Sequence, residues 1–76
     1  MKIRYFAETD TLYIELSSKN VAESIDLNAN TIIDLDGDGS VVAITLEHAQ
    51  QQANILEFTI EPIAVGQPPE MVYQPS

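Results

Sequence analysis

Along most of the first 47 residues, side chains alternate in character with a period of two, the rhythm of a pleated strand and not of a helix. In Lys2–Ala7, Ile3 and Tyr5 alternate with Lys2 and Arg4, and in Thr11–Leu16 the trio Leu12, Ile14 and Leu16 alternates with Thr11, Tyr13 and Glu15. Both segments read as half-buried strands. Glu8-Thr9-Asp10 supplies the polar turn between them, so the pair is expected to form a hairpin. Val21–Leu27 alternates as well, but polar groups fall on both of its sides, which is the profile of a short edge strand. After a turn at Asn28-Ala29-Asn30, Thr31–Leu35 and Val41–Glu47 form the strongest strand pair, rich in Ile, Val and Thr.

Between those two strands stands Asp34-Leu35-Asp36-Gly37-Asp38-Gly39-Ser40, three alternate carboxylates followed by a glycine, which resembles the first half of a calcium loop. An EF-hand loop needs flanking helices and a bidentate Glu at its twelfth position. Counted from Asp34, that position is Thr45, and the flanks are strand-like. Asp-Gly between alternating apolar runs is instead a hairpin signal, because glycine accepts the positive φ of tight β-turns. The aspartates then tolerate left-handed backbone and cap their own turn amides.

Past Glu47 the period changes. His48 to Leu56 contains helix formers with Ala49, Ala53 and Leu56 on one stripe, so a short helix is expected. Leu56, Phe58 and Ile60 alternate with Glu57, Thr59 and Glu61, an arm that Pro62 ends. The fold class that follows is α+β, mainly β: an antiparallel five-stranded meander with one short helix and a C-terminal arm. It makes one domain over residues 1–65, with a flexible Pro-rich tail over residues 66–76. At 76 residues only about 60% of the unfolded surface is buried on folding, so the core is thin.

Its main side is expected to hold Ile3, Tyr5, Leu12, Ile14, Leu16, Ile25, Ile33, Leu35, Val42, Ile44 and Leu46. Phe6, Tyr13, Ile32, Val41 and Ala43 point the other way. One short helix covers one face of such a sheet, so the second apolar set needs the arm or a second copy of the chain. The expected interface is therefore Phe6, Tyr13, Ile32, Val41, Leu56 and Phe58, in a homodimer.

Charge and chemistry narrow the function. Twelve acidic residues against three basic ones leave −9, which disfavours direct binding to nucleic acid or to an anionic membrane and suits a basic protein partner. No apolar run approaches the ~20 residues of a membrane span, and the amino-terminal residues lack the apolar core of a secretion signal; a cytoplasmic protein is expected. Without cysteine there is no disulfide, thiolate metal site or Cys nucleophile. The three glycines, at 37, 39 and 66, make no phosphate loop. Neither cofactor nor metal is expected.

His48 is the single histidine, beside Glu47 at the strand-to-helix junction; acid–base work there would need a second positioned group. A carboxylate pair such as Glu15 with Asp34 across neighbouring strands is conceivable but unspecific among so many acids. Tyr5 and Tyr13 read as amphipathic packing residues. No catalytic residue is assigned. The preferred reading is a non-catalytic interaction module, and the alternative a small hydrolase or ligand-binding protein with a site near Glu47 and His48 at a subunit boundary.

The order of blocks carries a resemblance. "MKIRYFAETDTLYIELS", then "VAES", then "TIIDLDGDGSVVAITLEHA" resembles the small bacterial proteins of the domain of unknown function 2283 family, over residues 1 to about 49. The resemblance implies an opening Lys-Ile-Arg-Tyr strand, an acidic turn, a Leu-Tyr-Ile strand, an Asp-rich hairpin and an apolar strand ending in a short helix. It carries no functional residues with it. In size and acidity such proteins are similar to antitoxins, which neutralise small basic toxins, although this chain has none of the basic DNA-binding element of a self-regulating antitoxin.

Overall fold

The computed structural model describes residues 1–63, which form five strands in one antiparallel sheet and then a single helical turn. The expected domain boundary at 65 and the Pro-rich tail at 66–76 lie outside the described residues. Strands β1 (Lys2–Phe6) and β2 (Thr11–Glu15) make one hairpin. Strands β3 (Glu23–Asn28), β4 (Thr31–Leu35) and β5 (Val41–Glu47) follow as two more antiparallel pairs. The class is therefore mainly β, with the strand segments where the two-residue alternation puts them.

Across the sheet the order is β1-β2-β5-β4-β3, so the sequential order of a plain meander breaks once: β2 pairs with β5, and the 16–22 connection crosses to the far edge. The composition of the strands explains the exchange. β5 is the longest and holds the buried Val42 and Ala43, and it gains most from a neighbour on each side. β3 is exposed along its whole length and loses least at an edge, the place its polar pattern predicts.

The register aligns side chains into rows. Ile3, Ile14, Ile44, Ile33 and Ile25 stand opposite one another, one from every strand, in sheet order. The next row on the same face is Tyr5, Leu12, Leu46 and Thr31. Directly opposed residues share a face, so the pairs Lys2–Glu15–Ala43–Asp34–Ser24 and Arg4–Tyr13–Thr45–Ile32–Asp26 line the other. Two register shifts, between Asp26 and Asn28 and between Asp34 and Leu35, leave Leu27 and Val42 as extra residues. The second shift sets Val41 opposite Leu35, so Val41 joins the isoleucine face and not the Phe6 and Tyr13 side that unbroken alternation assigns it.

The helix is shorter than its sequence pattern. It spans Ala49–Gln52, a single turn where His48 to Leu56 was expected. Its start is set by His48, whose φ of 53° is left-handed, and its end by Ala53, whose backbone is extended. So short a helix cannot cover a face of the sheet, and residues 54–63 form no strand over it either. Leu56 is 90% exposed, and among the described residues no large side chain is fully buried.

Candidate functional site

The isoleucine row is the most distinctive surface of the described chain, with the helical turn bonded to Tyr5 in the next row of the same face. Ile3 and Ile25 at its ends are 41% and 42% exposed, and Ile14, Ile33 and Ile44 between them are only half-buried. Charge is partitioned between the two faces. Among strand positions the isoleucine face carries Glu23 alone, at the corner opposite Leu35, whereas Lys2, Arg4, Glu15, Asp26, Asp34 and Glu47 lie on the other, mixed face. A sheet with water on both sides has no need to sort its side chains this way; sorting implies that one face meets something apolar.

The residues expected at an interface divide. Phe6, Tyr13 and Ile32 share the mixed face, with Tyr13 and Ile32 flanking Thr45 in one row. Val41 belongs to the isoleucine side, and Leu56 and Phe58 lie on the segment after the helix. At the centre of the mixed face Ala43 is wholly buried. Glu15 and Asp34 sit on either side of Ala43, on β2 and β4, two strands apart instead of on neighbouring strands. Asp34 Oδ1 accepts a 2.6 Å hydrogen bond from the Ser24 hydroxyl, so the two carboxylates do not form a working pair.

The helical turn is latched to the β1–β2 turn. Asp10, in left-handed backbone with φ 53°, accepts the Ala49 N–H on its carbonyl at 3.0 Å. Its Oδ1 accepts the Tyr5 hydroxyl at 2.7 Å and the Gln50 N–H at 3.2 Å, and Gln50 Nε2 donates to the Tyr5 oxygen at 3.1 Å. Donation to Asp10 raises the Tyr5 pKa above its ordinary value, because the phenolate would lose that bond and face a carboxylate. Beside this latch an open depression is lined by Tyr5 and residues 50–56.

His48 is part of the same junction. Its Nδ1 lies 2.9 Å from Asn30 Oδ1, and the Asn30 carbonyl accepts the Glu47 N–H at 2.7 Å. The ring is thus held by a neutral amide, and the Glu47 carbonyl is taken by the Gln52 side chain. The sequence reading identified His48 and Glu47 but missed Asn30, which tethers both, and Asp10, which holds Ala49 and Gln50. Both read locally as turn residues, and nothing in a one-dimensional pattern links residue 10 or 30 to residue 50.

The Asp-rich loop is a turn built around one carboxylate. Asp36 N–H donates to the Ser40 carbonyl, and Gly39 N–H to the Asp36 carbonyl, enclosing the three residues 37–39. Asp36 Oδ1 accepts the backbone N–H groups of Asp38 and Ser40, both at 2.9 Å. Those amides, the Ser40 one foremost, hold the Asp36 carboxyl below the usual aspartate value, assisted by Lys19 and opposed by burial. Lys19 Nζ stands 3.7 Å from Oδ2, an oxygen that is buried and has no hydrogen-bond donor. Asp34 faces Ser24 and Asp36 faces the turn, so the alternating acids do not converge; among the described residues no three His, Cys, Asp or Glu are grouped to hold a metal ion.

No described helix is long and apolar enough to cross a membrane. No curated protein and no solved structure matches the chain. A family model matches residues 2–50, from the first strand through the latch to the helix, which is more than half of the sequence. By that match the chain belongs to the family described as Protein of unknown function (DUF2283).

Proposed function

We propose that this protein is a non-catalytic interaction module that forms a homodimer and presents an acidic surface to a basic protein partner, an antitoxin-like role. The observation that carries this reading is the sorted sheet: five isoleucines in one row, the two at its ends exposed, and no large side chain fully buried among the described residues. An unpaired apolar face of this extent favours association, and a net charge of −9 favours cationic partners and speeds their encounter.

Sedimentation of the purified chain across a range of concentrations tests the self-association; a dimer at micromolar concentration is the expected result, and a strict monomer at high micromolar concentration removes that part. Capture on the immobilised chain from its native host tests the rest. The expected partner is a basic protein whose retention weakens steeply with added salt, whereas a captured acidic protein, or no captured protein at all, contradicts it.

A further inference from the structure

We propose that a second copy of the chain stacks on the isoleucine face, row against row, with β5 of both copies at the centre and both mixed faces turned outward. The inference rests on the interaction-module reading and adds which face is used and by what.

Charge placement identifies the occupant. Two chains of −9 repel unless their contact avoids the charges, and the isoleucine face is the one place where the strands offer apolar rows with a single corner carboxylate. A basic partner would gain nothing there, since six of the seven charged strand residues point the other way. The surface is therefore suited to another neutral, apolar surface. An identical face is also self-complementary in outline under a two-fold axis.

Size agrees. Five strands about 4.8 Å apart and five residues at about 3.3 Å each give a footprint of roughly 24 by 17 Å. Side-chain relief raises the accessible area above that rectangle, so two copies together bury on the order of 1,000 Å², the threshold for a stable interface. Stacked sheets sit about 10 Å apart and cross at a modest angle or near a right angle. Either arrangement keeps Ile44, in the middle of the middle strand, at the centre. The mixed face is less suited, because pairing it would bury six charged side chains, Lys2, Arg4, Glu15, Asp26, Asp34 and Glu47, four of them acidic.

The main test uses substitutions at Ile3 and Ile25, side chains that the single sheet leaves exposed, so that the monomer tolerates them. Ile25→Glu and Ile3→Glu, at opposite ends of the row, are expected to weaken the dimer by about a hundredfold each in sedimentation equilibrium, with the β-sheet circular dichroism of the wild type retained. Tyr13→Lys and Ile32→Lys, on the mixed face, are expected to leave the dimer constant within a few-fold.

The opposite pattern, dissociation by Tyr13→Lys or Ile32→Lys with Ile25→Glu and Ile3→Glu unchanged, overturns the stacking and keeps the homodimer of the module. A wild-type chain that stays monomeric overturns the stacking and the homodimer together, and leaves the basic-partner part to its own capture experiment.

Discussion

Asp36 decides the shape of the β4–β5 connection, and its protonation can be followed in stability. Two backbone amides and Lys19 favour the charged form in the folded chain, so the folded pKa lies below the ordinary value of 3.8. The folded state therefore binds a proton at Asp36 less readily than the unfolded chain does. The associated stabilisation is complete above that value and is lost as pH falls through the folded pKa. The Asp36→Asn chain keeps an acceptor for the two amides but not the attraction to Lys19. Its melting temperature is expected to lie below the wild type at neutral pH, and the gap to narrow below about pH 4. A gap that stays constant down to pH 2 would show that the charge of Asp36 contributes nothing.

The two glycines of the same turn separate conformation from space: neither has any atom within 4 Å of an added Cβ, but only Gly39, at φ +84°, is left-handed. Gly39→Ala should cost about 1–2 kcal/mol, and Gly37→Ala should be neutral or stabilise by up to about 1 kcal/mol, in denaturant titrations.

At the scale of elements, the short helix is held from outside more than from within. A single turn of four residues has no cooperative stability of its own. Its first amides are met by Asp10, across the sheet end, and its entry is fixed by His48 in left-handed backbone. Asp10→Ala removes the acceptor for Tyr5 and Gln50 at once and replaces a residue tolerant of positive φ with one that is not. Its expected cost is about 1–3 kcal/mol, with amide exchange of residues 49–53 speeding up before that of β5. Equal acceleration in β5 would mean that Asp10 supports the sheet and not the helix.

The same element shows where sequence reading succeeds and where it stops. The strand positions, the edge character of β3 and the Asp-Gly hairpin were legible because each depends on residues within about ten positions of one another. The helix was read too long because Ala53 and Leu56 continue the apolar stripe begun by Ala49, while the extended backbone of Ala53 that ends it and the left-handed His48 that starts it are not local signals. The pairing of β2 with β5 joins residues 28 to 36 positions apart, and the extra residue Val42 shifts one face by one place; alternation is blind to both. For the site, the apolar face was legible as a set of residues, but how little of it a four-residue helix reaches was not.

For the molecule as a whole, the question is what completes a core in which no large side chain of the described residues is fully buried. If stacking supplies it, folding and association are linked, and stability must depend on how much protein is present. While the dimer dominates the folded population, each tenfold increase in concentration adds about 0.7 kcal/mol per chain, which for a domain of this size raises the melting temperature by roughly 3–5 °C. Salt acts differently. It screens the repulsion among charges that sum to −9 and raises the melting temperature at every concentration, including that of a monomer. The two dependences are separable by scanning a concentration series at fixed ionic strength. The wild type is expected to show the concentration slope, and Ile25→Glu to show a lower, flat melting temperature with its salt response intact. A flat wild-type series beside a monomeric sedimentation profile would mean that the open sheet is stable alone, and that its isoleucine row is kept for a partner other than itself.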